Sequence, residues 1–491
     1  MKLLLVSALA STSLFIGSLS ADPYTVIRTI THSENALWNT AGGDLKPIVA
    51  LDPDYFVIAT KGRRLSGGAA YVFDASDGAF LRRLTASDAG EGMEFGAALA
   101  VDGGFALVGA PNKFISASNR GKAYLYNLAT GAEILTFNQT DGFPNDPDLF
   151  GTSVALDGTV AVVGAPRAGD SSAVPTQYAR GFVYVFDTST GALERTFTAS
   201  DPEAGAQVGE SVAVKGDDVL AGAPFATNGA FFDAGKAYVF DRATGAERFI
   251  LLPPDPANED YFGMKVSISD TYFVVAATSD DDGGGGSGSI YLFNRSDGAF
   301  VRKFGGNPTG SGAAFGWNHS ASGDAILSNQ TFEGTSFGFY DLATGTRTEL
   351  ISDFPTIFGH SAWRGDTLIV GRGTSTSDGF TLADGNFTIQ VLSDGSAPVP
   401  ARAPSVKPLG KRKINLKRPK LTLRGTASDP DGDLALIEVK VGNKPFTPAS
   451  GTDNWSVSVK GLKPGKNTLQ IRSKDAAGNT SAVVKLTVVL K

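Results

Sequence analysis

The sequence predicts an all-β protein, a seven-bladed β-propeller followed by a small β-sandwich. Three observations lead there. A unit close to 50 residues long returns along most of the 491-residue chain, and each copy reads as four short strands with glycine-bearing turns, the size of a propeller blade. The third strand of each unit is apolar on both faces, as in a sheet stacked between neighbours. From Leu421 onward the pattern changes to five or more alternating strands, which fits an antiparallel sandwich.

The clearest copy runs FGTSVALDGTVAVVGAP, Phe150 to Pro166, then GFVYVFDTSTGALERTF, Gly181 to Phe197. VALDG turns tightly into VAVVGAP, a loop follows, VYVF makes the third strand, and a turn ending in Gly191 leads into LERTF. That turn glycine recurs at Gly78, Gly131, Gly191, Gly245, Gly298, Gly345 and Gly395, which predicts seven blades. The Phe-Gly step recurs at Gly96, Gly151, Gly209, Gly263, Gly316 and Gly359, with Val208 in place of Phe once. The Gly-Ala-Pro step is intact at Gly109, Gly164 and Gly222 and decays afterwards. Before the first full copy, TVIRTITHS at Thr25 to Ser33 matches the outer-strand segment at Ala79 to Ser87. It is expected to complete the last blade and close the ring.

On these residues the chain resembles the FG-GAP repeat family, the propeller of integrin α-chains and of many bacterial surface and secreted proteins. The resemblance covers roughly Val49 to Ser396 and implies the fold far more than a function. It implies ligand binding on the face that carries the long loops after Gly-Ala-Pro and the connections between blades. It also implies calcium loops of the form DxDxDG at the first tight turn. Those are missing here, where Asp102-Gly103-Gly104, Asp157-Gly158 and Lys215-Gly216-Asp217 stand instead.

Four segments follow in order. Residues 1–21 read as a secretory signal peptide, one lysine and then an apolar run broken by small residues. Residues 22–396 form the propeller, 397–420 a Pro-rich and then basic linker, and 421–491 the sandwich. The last module resembles the bacterial Ig-like domains of secreted proteins, through SDPDGD, Trp455 and RSKDAAGN. Charge divides the chain likewise. From Ala401 onward 18 Lys and Arg stand against 6 Asp and Glu, although the whole chain carries a net charge of −7. The basic linker is suited to an anionic polymer or to the acidic propeller. Cysteine is absent, which excludes disulfides, thiolate catalysis and cysteine zinc sites. An exported chain without disulfides points to a bacterial source. No second apolar run predicts a membrane span, and nothing predicts nucleic-acid binding.

The loop-rich face is acidic, with Asp88, Asp141, Asp146, Asp148, Asp201, Asp255 and Asp260 as ligand-face candidates. Asp280, Asp281 and Asp282, followed by four glycines, make the densest carboxylate cluster. Calcium, the one cofactor the sequence suggests, takes several oxygens on such a loop, although solvated turns account for the same residues. In the sandwich Asp429, Asp431 and Asp433 alternate around Gly432, as the opening of a calcium loop does, with Asp475 in the other loop to complete a site; a plain turn is the competing reading. His319 and His360, with Trp317 and Trp363, fall on neighbouring first strands that line a propeller's axis. They read as packing residues, or as an axial site, and no serine elbow or HExxH accompanies them.

The expected function is non-enzymatic: a secreted or cell-surface binding and adhesion protein that takes an extracellular glycan or protein on its acidic face, with calcium assisting. Two other readings stay open, an extracellular polymer-degrading hydrolase or lyase with its site at the axis, and an envelope or matrix structural protein.

Overall fold

The structure is a computed structural model that describes residues 25–32, 48–61, 68–75, 79–88, 93–111, 121–139, 148–169, 179–201, 203–305, 314–329, 337–351, 361–364, 367–372, 387–393, 405–408, 413–416, 421–428, 434–442, 444, 446–450, 454–475, 481 and 483–490. It divides into two units, residues 1–395 and 396–491.

The described residues of the first unit form seven four-stranded antiparallel sheets, numbered here by the order of their first strands. Those strands are Ile48–Leu51, Ala98–Asp102, Ser153–Asp157, Ser211–Lys215, Phe262–Ile268, His319–Ser322 and Ser361–Arg364. Each neighbours the next, and the seventh neighbours the first, so the sheets surround a common axis as a β-propeller. Sheet 3 shows the build. Ser153–Asp157, Val160–Ala165, Phe182–Asp187 and Leu193–Phe197 pair in sequence order. In sheet 7 the order is Ser361–Arg364, Thr367–Arg372, Phe387–Ser393 and then Thr25–His32 from the start of the chain.

Apolar faces explain the stacking. Val162, Val183 and Val185 of sheet 3 share one core with Val219, Ala221, Tyr238 and Phe240 of sheet 4. Ala161, Val163, Tyr184 and Phe186, the alternate residues, share another with Leu107, Leu125 and Phe137 of sheet 2. A strand with two buried faces has no polar alternation to show, which is why the third strands read as continuous hydrophobic runs.

The glycines of the motif seal these joints. Gly96, Gly151, Gly209 and Gly263 sit at φ of 88 to 94°, a conformation that side chains rarely adopt. In the same sheet the Gly151 N–H donates to the Gly164 carbonyl at 3.0 Å, and Gly209 repeats this on Gly222 at 2.9 Å. A Cβ on Gly109, Gly164 or Gly222 would collide with the carbonyl oxygen of Gly151, Gly209 or Gly263 in the following sheet. Backbone therefore meets backbone at every such joint, and no other residue fits. The preceding Phe95, Phe150 and Phe262 are fully buried against Tyr124, Tyr184 and Tyr291.

The second unit is a two-sheet sandwich. Ser405–Pro408, Leu421–Ser428 and Asn454–Val459 make one sheet. Lys413–Leu416, Val484–Leu490, Gly465–Asp475, Leu434–Val441 and Thr447–Pro448 make the other. Trp455, Ile437, Leu469, Ile471 and Val488 fill the space between them, and Trp455 Nε1 donates to the Thr426 carbonyl at 3.2 Å. The stretch 397–420, expected as linker, supplies two of these strands, so the sandwich begins earlier than the alternation alone indicates. Proline misled the reading: Pro408 ends its strand at a sheet edge, where a missing N–H does little harm.

Candidate functional site

The loop-rich face of the propeller was expected to offer free carboxylates, and the structure spends them between sheets. Asp88 follows the last strand of sheet 1 and reaches the third strand of sheet 2. There it accepts from Tyr124 Oη at 2.7 Å and pairs with Lys122. Asp201 does the same across sheets 3 and 4, with Tyr238 Oη at 2.8 Å and Lys236 Nζ at 2.6 Å. Burial opposes the Asp88 charge, but the bonds from Lys122 and Tyr124 outweigh it and hold its pKa below the ordinary value. Burial first, and then these carboxylates, push the phenols of Tyr124 and Tyr238 upward. Each unit is a clasp between neighbouring blades rather than a ligand site.

Across sheets 4 and 5 the clasp has a different cation. Ser289 stands where Lys122 and Lys236 stand in their sheets, and Lys303, paired with Tyr291 in the adjoining strand, replaces them. Its Nζ lies 2.9 Å from Asp255, 2.7 Å from Asp280 and 2.6 Å from Asp282. Tyr291 Oη bonds Asp280 at 2.6 Å and Asp255 at 3.0 Å. The cluster read as a calcium loop thus surrounds an ammonium group supplied by the chain, and Asp281 is exposed beside it. Among the described residues no group of three or more acids and histidines is arranged to hold a metal ion.

Two more of the expected acids are buried. Asp148 is closed off from solvent, with its carbonyl accepting from Arg167 N at 3.2 Å. Asp260 accepts from Ala257 N at 2.8 Å. Burial, with the charges of Asp280 and Asp281 added, pushes its carboxyl up to about 6. Asp141, Asp146, His360, Asp429, Asp431 and Asp433 lie outside the described residues. Trp363 and Asp475 lie on the strands Ser361–Arg364 and Gly465–Asp475, and their side chains are outside the description.

On the opposite face the tight turns are chained together. Asp52 accepts from Gly104 N at 2.7 Å, Asp102 from Gly158 N at 2.8 Å and Asp157 from Gly216 N at 2.6 Å. The Asp-Gly turns are joints between blades as well.

What the loop-rich face does present is aromatic. The loop after Gly-Ala-Pro in sheet 4 folds back at Asn228, whose N–H and carbonyl bond Phe231 at 3.0 and 3.1 Å. It is pinned to the connection that follows sheet 4. Phe232 N donates to Asn258 Oδ1 at 3.0 Å, Glu259 N to the Phe232 carbonyl and Tyr261 N to the Asp233 carbonyl, both at 3.1 Å. Thr227 N is held by Glu203, and Phe225 packs edge-on against Tyr261. The result holds Phe231 at 39% and Phe232 at 51% exposure. Around it, burial and then the charges of Glu259 and Glu203 raise the Asp233 carboxyl. Sequence reasoning passed over this pair. The signal was Phe231-Phe232 just after Asn228-Gly229, in a loop whose other residues, Phe225 apart, are small or polar.

At the axis His319 is half-buried on the first strand of sheet 6, with Nδ1 donating to the Gly316 carbonyl at 3.0 Å. Burial pushes its pKa down to about 4, and the charge of Lys265 adds to the shift. Trp317 is half-buried beside it, its backbone N–H donating to the Ala314 carbonyl at 3.0 Å.

A family model described as FG-GAP repeat matches residues 80–126, 141–186, 192–240 and 247–293. These four segments are similar to FG-GAP repeats and fit an FG-GAP β-propeller. Each matched segment begins near an outer strand and ends in the third strand of the next sheet, so an FG-GAP unit straddles a joint. The units at 80–126, 192–240 and 247–293 therefore carry both halves of a clasp: Asp88 with Tyr124, Asp201 with Tyr238, Asp255 with Tyr291. No curated protein matches the chain. Among solved structures, a crystal structure of a mitotic checkpoint complex matches at 14% identity and a TM-score of 0.47, over 78% of this chain and 98% of that one. No helix among the described residues is long and apolar enough to cross a membrane. An FG-GAP repeat propeller suggests a binding or adhesion-type module.

Proposed function

We propose that the protein is an exported, non-enzymatic adhesion protein whose propeller takes an extracellular glycan or protein ligand on its loop-rich face, with Phe231 and Phe232 at the centre of contact. One observation carries this reading: two exposed phenylalanines on a loop pinned by its neighbour. Large aromatic side chains held without conformational freedom supply contact area at low entropic cost, and they dominate interface energetics. Their acidic surroundings, Glu203, Asp233 and Glu259, favour a ligand whose own contact surface is neutral or basic.

The test compares wild type with a Phe231→Ser, Phe232→Ser double variant on glycan and extracellular-matrix protein arrays. The expected outcome is one ligand class bound by wild type and weakened by at least about tenfold in the variant, as truncation of interface aromatics commonly does, with an unchanged melting temperature. A ligand bound equally by both proteins would move the site elsewhere on the molecule.

A further inference from the structure

We propose that the inner end of the joint between sheets 5 and 6 binds a small oxyanion that also carries a hydroxyl, held by Lys265, Ser267 and His319.

Strand register sets the three side chains against one another. On the first strand of sheet 5, Val266 and Ile268 belong to the core shared with sheet 4. Lys265 and Ser267 alternate with them and pair with Ala276 and Val274, which belong to the core shared with sheet 6. Alternation therefore directs Lys265 and Ser267 toward sheet 6. On the facing strand, Ala321 packs into that same core, so His319, two residues before it, is directed toward sheet 5.

The other joints treat this position differently. Ala98, Ser153 and Ser211 occupy it in sheets 2, 3 and 4, each paired with the glycine of Gly-Ala-Pro. There the joint is sealed by small groups: Ser153 Oγ donates to the Gly209 carbonyl at 2.7 Å, and Ser211 Oγ accepts from Val266 N at 3.1 Å. Among these sheets only sheet 5 places a lysine there, and across its joint with sheet 6 it meets His319, which stands one register position on, where sheets 2 to 5 carry Leu99, Val154, Val212 and Val266.

Their polar atoms are left over. His319 Nε2 and Ser267 Oγ are buried without a hydrogen-bond partner among the described residues, and Lys265 makes no ion pair among them. Such groups are rare in folded proteins, because each forfeits its hydration without return. Burial lowers the Lys265 pKa, and the charge of Glu210 opposes that shift. Because Nδ1 gives its proton to Gly316, the neutral His319 ring presents Nε2 as an acceptor. The ammonium and the serine hydroxyl donate. A complementary ligand offers acceptor oxygens and one O–H. Hydrogen phosphate has both, as does a carboxylate beside a hydroxyl group; sulfate has only the acceptors.

The chain has three histidines, so imidazole ¹⁵N NMR of the full-length protein resolves His319, assigned with His319→Gln. Titration with inorganic phosphate at pH 7 is expected to shift its Nε2 resonance saturably, and Lys265→Met to weaken that titration about tenfold or more, the usual weight of a charged hydrogen bond. Sulfate is expected to bind more weakly than phosphate, and a 2-hydroxycarboxylate to compete with it. Should Lys265→Met not fold, Ser267→Ala replaces it, with a several-fold loss expected. An unmoved His319 resonance, or titrations unchanged in the folded variant, overturns the proposal and leaves water as the occupant.

Discussion

Lys303 sits where three carboxylates converge, and the chemistry of the cluster follows from that single ammonium. Replacing it by methionine leaves Asp255, Asp280 and Asp282 facing one another, with Asp280 almost wholly buried. Lys303→Met is expected to cost on the order of 2–3 kcal/mol, read as a lower denaturation midpoint. Millimolar calcium is expected to raise the melting temperature of that variant and to leave wild type unmoved. A calcium-stabilised wild type would show that the ammonium gives way to the ion. Two titrations at this scale oppose each other. Asp260 holds its proton to about 6 when folded and releases it near the ordinary carboxyl value when unfolded, so its share of stability is lost as pH rises through about 4 to 6. His319 refuses a proton down to about 4 when folded and takes one near 6.5 when unfolded, so its share is lost as pH falls through about 6.5 to 4. Melts between pH 4 and 7 are expected to steepen on the acid side in Asp260→Asn and to flatten there in His319→Gln. Composition could not disclose any of this. Asp280 to Asp282 look like free ligands until the strand partner of Tyr291 is known, and that partner, Lys303, comes 12 positions after it.

Strands, turns and the glycines between them were legible because their causes are local. A tight turn selects Asp-Gly, and a strand buried on both sides selects Val, Tyr and Phe wherever it lies. The positions of the clasps were also legible as recurring Asp and Tyr, but their purpose was not, since each joins residues more than 30 apart across a joint. Two glycines separate the kinds of constraint. Gly158 holds φ at +55° in open space, and Gly158→Ala is expected to cost about 1 kcal/mol from backbone strain alone. Gly164 needs no unusual backbone angle, yet its Cβ would enter the Gly209 carbonyl. Gly164→Ala is expected to cost about 3 kcal/mol or more, seen in urea midpoints measured side by side. Equal costs would mean that the joint between sheets 3 and 4 can open without penalty.

At the scale of the whole molecule, the repeat number and the swapped strand could be read from spacing, whereas the earlier start of the sandwich could not, because prolines at strand ends look like a tether. Phe231 and Phe232 escaped notice for a related reason. Periodicity describes what the copies share, and a binding loop is where one copy departs from the rest. The pairing of Ile30 with Ile389 has a meaning in time as well as in space. A ribosome adding roughly 5–20 residues per second takes on the order of 20 to 70 s to make the chain between them. Throughout that interval the oldest strand waits for the youngest, and any other nascent copy offers it the same partner. Deleting residues 25–32 is expected to yield dimers and larger species by light scattering, and a synthetic peptide of that segment to restore monomers; a variant that stays monomeric unaided would make the strand dispensable. Crowded synthesis, many copies on one message, is thus the condition under which this molecule is most exposed to trading strands with its siblings.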